Sequence, residues 1–307
     1  MVLNSLFPVF ALLLLGHLLK RFNFTDAAFL RTVDRMVYFV FFPAMLFWKI
    51  GSASTGMTID WPYCLSALCA LLIMFLLSLV ALPVFKVTAF QAGSFCQACF
   101  RFNTYIGMTI ILTTFGESGV KHFGILIGLV IPVVNVLSVL TLIWYSAKRY
   151  AMRERLVLTL KAVVSNPLIL ACLAGLAYNH YVSQFPVFID NTLEIMSMVA
   201  LPMALLSIGA SLTFKSLRGN LAKSFAASLL KVAGYPLIGY GLMSLFGVST
   251  LPFQVGMIYF ALPASTAIYV LSSQLNSDTE LASAAIVMST ILAFFSLSVI
   301  LVILPLL

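Results

Sequence analysis

The chain alternates long apolar stretches with short polar ones. Runs of roughly 18 or more residues carrying few charges recur along its length, and each can cross a hydrocarbon core of about 30 Å as a helix. The pattern predicts ten helices, at roughly 3–20, 30–50, 61–84, 91–115, 120–147, 156–180, 186–212, 221–246, 252–274 and 279–305. In the first run, Leu3–Leu19, the basic pair Lys20 and Arg21 follows the apolar residues. A secretory signal has its positive charge before the apolar run and small residues at a cleavage site, so this segment is expected to stay as a first membrane helix.

Composition agrees. Of 307 residues, 62% are hydrophobic and 8% charged, and the mean hydropathy is +1.11. No stretch is long and polar enough to fold as a separate soluble domain. An all-α polytopic membrane protein is expected, with the lipid bilayer as its main partner. The basic residues then orient the helices. Thirteen fall in the odd-numbered connections, including Lys20, Arg21, Arg31, Arg35, Lys86, Lys148, Arg149, Lys215 and Lys223; two, Lys49 and Lys121, fall in the even ones. Basic connections mark the cytoplasmic side, which places both termini on the outer side of the cytoplasmic (inner) membrane. The net charge of +8 is therefore a topology signal. No basic domain exists to bind nucleic acid.

The basic linker Ala147–Lys161 divides the chain into residues 1–150 and 151–307, with five helices in each part. An odd number per part inverts the second relative to the first. VFFP at Val40–Pro43 resembles VALP at Val199–Pro202, an offset of 159 residues, and the same offset carries Asn103 to Leu262 beside Pro263. Inverted repeats with interrupted helices at equivalent places are a common architecture of secondary transporters.

The fourth and ninth spans are the interrupted ones. Both open with Phe-Gln-x-Gly, at Phe90 and Phe253, and both turn polar near the middle. Pro263 has no N–H and clashes with the preceding turn, which frees carbonyls near Tyr259 and Phe260. Ser265 and Thr266 then supply small polar side chains and exposed amides. Asn103, Thr104 and Tyr105 offer hydrogen-bond partners in the fourth span. Irregular backbone at membrane depth is tolerated only where protein or a wet cavity satisfies it. A plain proline kink would account for the ninth span alone. Two breaks that cross would instead aim half-helix ends at one point, N-terminal ends suiting an anion and C-terminal ends a cation.

Two basic residues fall inside predicted helices, Arg101 and Lys231, while all nine acids lie in connections or near helix ends. Ionisable groups within the membrane point to function. An anionic substrate would supply the missing negative charge. Alternatively, Lys231 reaches toward the cytoplasm and Arg101 caps carbonyls of a neighbouring helix. Coupling to a proton would fall to Glu117, a histidine or the substrate's own carboxyl. Asn135, which follows Pro132 in the fifth span, either bonds another helix or lines the site.

Other signals lead to packing. Cys96 and Cys99 share a helix face but lack the further ligands of a zinc site, so no metal and no cofactor are expected beyond a coupled H+ or Na+. The five cysteines sit in apolar segments and argue against disulfides. Gly124-x-x-x-Gly128 permits close helix approach. The three histidines lie near helix ends, and Asn166-Pro167 reads as a helix start. No zincin, P-loop or nucleophile-elbow motif occurs, and an enzyme is not expected.

Taken in order, FPVFALLLLGHLLKR, VYFVFFPAMLF, FRFNTYIG, IGLVIPVVNVLSV, SNPLILACLAGLA, LPMALLSIGASL and ALPASTAIYVLSSQ resemble the auxin efflux carrier family, including its bacterial malonate and malate permease type. The resemblance covers nearly the whole chain. It implies two inverted five-helix repeats, similar in fold to sodium/proton antiporters and bile-acid transporters. Helices 1, 2, 6 and 7 would form a scaffold able to make a homodimer. Helices 3–5 and 8–10 would form a transport domain, with helices 4 and 9 crossing at the substrate site. The family's crossover asparagine matches Asn103, and its crossover proline matches Pro263. Many members have Gly-x-Pro after the asparagine; here the residues are Gly107-Met108-Thr109, so the break in helix 4 is expected to rest on Gly107 and the polar cluster. Arg101 lies outside the family pattern, and its role rests on charge. The function implied is secondary transport of a small organic acid anion, a mono- or dicarboxylate. A sodium-coupled carrier of the bile-acid type and a non-transporting receptor with this fold are the alternatives.

Overall fold

A computed structural model describes residues 2–52, 60–145, 153–154, 157, 164–182, 184–212 and 216–304. The linker 147–161, where the two repeats were expected to meet, lies outside the described residues apart from 153, 154 and 157. Among the described residues the secondary structure is helical, with one isolated antiparallel bridge and no strand.

Helix α1 (Val2–Arg21) is followed by α2 (Ala27–Met36), a π turn (Val37–Phe41) and α3 (Phe42–Gly51). Then come α4 (Trp61–Val84), α5 (Ala89–Phe100), α6 (Thr104–Tyr145), α7 (Pro167–Tyr181) and α8 (Val187–Ser211). Next are α9 (Leu217–Leu229), a second π turn (Leu230–Gly234) and α10 (Tyr235–Leu245). The last three are α11 (Thr250–Ala261), α12 (Ala267–Gln274) and α13 (Thr279–Ile303).

Local chemistry sets these bounds. Asp26, Asp60 and Asp278 cap α2, α4 and α13 by accepting the N–H of Phe29, Tyr63 and Leu281 at 2.7, 3.0 and 2.9 Å. Asn166 caps α7 through Leu168 N–H at 2.9 Å, with Pro167 opening the helix, as its missing donor allows. Each π turn runs into a proline, Pro43 or Pro236, near the start of the next helix. The N–H groups of Phe42 and Tyr235 reach back to Val37 and Leu230. Pro236 has no N–H for the Val232 carbonyl, and the Ser296 hydroxyl donates to it instead, at 2.5 Å.

Among the described residues, six helical segments are long and apolar enough to cross a membrane: Leu3–Arg21, Trp61–Val84, Thr104–Tyr145, Val187–Ser211, Leu217–Leu245 and Thr279–Ile303. The remaining expected spans escape that criterion for identifiable reasons. The second carries Arg31, Asp34, Arg35 and Lys49, the fourth is divided between α5 and α6, the ninth between α11 and α12, and the described helix of the sixth begins only at Pro167.

The expected connection at 116–119 is reduced to one residue. Gly116 stands at φ 61°, ψ −149° inside α6, a region essentially closed to side chains with a Cβ. It separates two helical pieces, 104–115 and 117–145.

The chain forms two compact units. The first comprises Met1–Ile59, Tyr105–Leu129 and Val164–Ser211, the second Asp60–Thr104, Val130–Val163 and Leu212–Leu307. In the first, α1 and α8 meet through reciprocal glycines: a Cβ on Gly16 would collide with the Leu206 carbonyl, and one on Gly209 with the Leu13 carbonyl. Gly124 faces Ile50 and Gly128 faces Cys172, the close approach expected of that motif. In the second unit, α9 packs on α13, and α10 on α4 and α11. A serine cluster joins α5 to the α12–α13 turn: Ser94 lies 2.8 Å from Ser272 and 3.1 Å from Ser277, and donates to the Asp278 carbonyl at 2.7 Å.

Candidate functional site

The second unit contains the breaks of both interrupted helices, 101–103 and 262–264. Helix α5 ends at Phe100, and Arg101, at φ −76° and ψ 128°, turns the chain into an extended stretch. Its N–H still closes the last turn on Gln97 at 2.8 Å. Helix α11 ends at Ala261. Leu262 is extended at φ −60°, ψ 144°, as the residue before a proline prefers. The two extended segments run antiparallel and pair. Phe102 bridges Ala264, and Asn103 N–H donates to the Pro263 carbonyl at 2.9 Å.

Buried backbone groups need partners, and those at the break find them. Leu262 N–H reaches the Tyr259 carbonyl at 3.3 Å. Ala264 N–H goes to the Ser289 hydroxyl on α13 at 3.0 Å. The Phe260 carbonyl accepts from the Lys231 ammonium at 3.0 Å. Pro263 thus frees the carbonyls expected of it, at Tyr259 and Phe260. Past the break, Ser265 caps the start of α12, its hydroxyl accepting Ala267 N–H at 3.3 Å. The Thr266 carbonyl accepts Tyr269 N–H at 3.1 Å.

The break in the fourth span includes Asn103, of the polar cluster, and leaves out Gly107. Gly107 lies inside α6, and the interruption falls at Arg101–Asn103. A helix gives up its own ladder where another segment offers equivalent bonds, and the paired segment around Pro263 makes that offer. Glycine weakens a helix by only about 1 kcal/mol relative to alanine, too little to relocate the break.

Arg101 is held by α6. Nη1 donates to Ser138 Oγ at 3.1 Å and Nη2 to Asn135 Oδ1 at 3.0 Å. The two acceptors are three residues apart, on one helix face. Asn135 therefore makes the helix–helix bond that was one of its two expected roles. Both acceptors are neutral and buried. Asn103 is 2% exposed.

Lys231 does not reach toward the cytoplasm. It is 0% exposed, on the π turn between α9 and α10. Its ammonium lies 4.6 Å from the Tyr235 ring centroid, and the Tyr235 and Tyr259 hydroxyls are 2.8 Å apart. Phe102 packs edge-on against Tyr259, with centroids 4.7 Å apart.

The structure thus gathers Arg101, Asn103, Asn135, Lys231, Pro263, Ser265 and Thr266 in one unit. Tyr105 and Glu117 belong to the other. There the Tyr105 ring meets Phe42, centroids 4.6 Å apart, and Glu117 pairs with Lys49 at 2.5 Å. Cys96 and Cys99 are buried free thiols, and no metal-binding cluster occurs among the described residues. The sequence reading missed Ser138, Ser289 and the tyrosine pair. Ser138 was open to discovery, because Asn-x-x-Ser at 135–138 places two polar groups on one face of an apolar helix. Ser289 carries no local signal.

Apolar helices broken at mid-length, pairing their backbones beside a part-buried arginine and a buried lysine, fit a membrane transport protein. The sequence profile of the family described as "Membrane transport protein" matches residues 1–301, and the chain belongs to this family, the auxin efflux carriers. It is 31% identical over 139 residues to an uncharacterized transporter of Methanothermobacter thermautotrophicus, an alignment spanning 45% of each chain, somewhat under half the length of that relative. It is 23% identical over 290 residues to the uncharacterized transporter MJ1031 of Methanocaldococcus jannaschii, across 92% of each.

Proposed function

We infer that the protein is a secondary carrier that moves a small organic acid anion, a mono- or dicarboxylate such as malonate or malate, across the cytoplasmic membrane. The observation carrying this reading is the paired break itself. Two helices interrupt each other through backbone hydrogen bonds, and Arg101 sits at the break with its guanidinium fixed by neutral acceptors. A carboxylate is the natural partner for a planar, permanently charged fork. Asn103 and the amides around Ser265 and Thr266 would complete its hydrogen bonding.

In this reading ten spans form two inverted repeats, with both termini outside and a homodimer made through the scaffold. The existence of two compact units supports alternating access, in which the unit containing the break moves against the other. Coupling to H+ or Na+ belongs to the same proposal.

The test is purified protein in liposomes with a panel of radiolabelled mono- and dicarboxylates under imposed pH or sodium gradients. Saturable flux of one acid, lost by at least tenfold in Arg101→Ala and Asn103→Ala with folded protein retained, is the expected result. Normal flux in both variants would remove these residues from the site. Binding of an acid without flux would favour a receptor.

A further inference from the structure

Helix α11 ends deep inside its unit, and its last carbonyls face a shortage of donors. Pro263 has no N–H, and Ala264 gives its own to Ser289. The Phe260 carbonyl is left at the negative end of a half-helix, a place that attracts positive charge. Lys231 supplies it. The ammonium, 0% exposed, donates to that carbonyl at 3.0 Å and stands over the Tyr235 ring at 4.6 Å. The Cys99 thiol also lies close enough to interact with it. The ion pair formed among the described residues joins Lys49 to Glu117, in the other unit, so no carboxylate there neutralises Lys231.

A buried ammonium without a carboxylate is costly. Three features offset the cost here: a freed carbonyl, an aromatic face and a helix C-terminus. Freed carbonyls and C-terminal half-helix ends are also what coordinate a diffusible coupling ion at a broken membrane helix. We propose that Lys231 is a tethered cation, occupying the position at the end of α11 that a free monovalent cation would otherwise take. It makes the protein independent of sodium, and removing its side chain opens a site for a small cation. The consequence for transport rests on the carrier reading above; the occupancy itself does not.

The experiment is thermal unfolding of the purified protein in detergent, as wild type, Lys231→Ala and Lys231→Met. Each is titrated with sodium chloride and with propylammonium chloride, against choline chloride at equal ionic strength. Propylammonium is the fragment that Lys231→Ala deletes. Wild type should show no sodium effect beyond choline. Lys231→Ala should melt lower and recover saturably with propylammonium, by about 2–4 °C. Lys231→Met, whose side chain fills the same space, should not recover. Saturable stabilisation of wild type by sodium overturns the proposal. So does a Lys231→Ala protein indifferent to propylammonium, or equal recovery of Lys231→Met. Should Lys231→Ala not fold, the wild-type sodium titration still decides. In liposomes, wild-type flux should be equal in sodium and choline. Absence of flux for every acid counts against the carrier reading, while the melting curves judge Lys231 separately.

Discussion

Ser289→Ala tests the accounting at the helix break. The Ser289 hydroxyl, 0% exposed, accepts Ala264 N–H at 3.0 Å and donates to the Ile286 carbonyl at 3.1 Å. The substitution removes one oxygen and leaves the shape otherwise unchanged. The Ile286 carbonyl keeps a donor in Thr290 Oγ1, at 2.7 Å. Ala264 N–H keeps none of those seen here. The gap left by one oxygen is smaller than the roughly 30 Å³ share of a water molecule, so solvent does not replace the lost acceptor. Stranding a buried donor costs about 1–3 kcal/mol, a fall in Tm of several degrees at about 2–4 °C per kcal/mol. Ser298 on the same helix provides the control. It is half-buried, and its hydroxyl bonds only its own helix, at the Phe294 carbonyl. Thermal unfolding of the two alanine variants side by side isolates the effect. Equal Tm values for Ser289→Ala, Ser298→Ala and wild type would refute the argument that the break depends on this side chain.

Three further outcomes follow from the geometry. Asn135→Asp keeps the contact with Arg101 Nη2 at 3.0 Å but turns it into an ion pair. Tm should hold or rise while anion flux drops at least tenfold, and wild-type flux would show that the Arg101 charge is not used. Gly209→Val drives a side chain into the Leu13 backbone and should abolish folded yield, whereas Gly241→Ala, with open space around its Cβ, should be neutral or slightly stabilising; comparable yields from the pair would contradict the close approach of α1 and α8. Glu117→Gln breaks a pair whose carboxylate is 56% exposed, worth less than about 1 kcal/mol, and should leave both Tm and the pH dependence of flux unchanged. Loss of that pH dependence would make Glu117 the coupling group after all.

The parts of this architecture that depend on local chemistry could be read from the chain. Apolar length gave the third span at 61–84 and the seventh within a residue of Val187–Ser211, because a bilayer imposes its thickness on each helix separately. Pro263 marked its break because a missing N–H is a property of the residue itself. Features that need a second segment were hidden. Gly107 and the polar cluster together looked like the weak part of the fourth span, and the interruption sits at the Asn103 end, where the Pro263 segment offers backbone bonds. Lys231, inside a predicted helix, could be read as a partner for an anion or as a chain reaching toward the cytoplasm, since nothing local revealed that Phe260 would need a donor 29 positions away. Asn135 was suspected as a polar residue in an apolar helix, but its partner could be named only from coordinates.

The crossing is stitched by main-chain atoms, through Asn103 N–H to the Pro263 carbonyl and the Phe102–Ala264 bridge. Every amino acid supplies a carbonyl, and all but proline supply the amide. The side chains at 101, 103, 265 and 266 are therefore free to drift without dismantling the scaffold that displays them. On the carrier reading proposed above, a lineage built on this arrangement can exchange one cargo for another by a handful of substitutions, keeping its machinery while rewriting its address label.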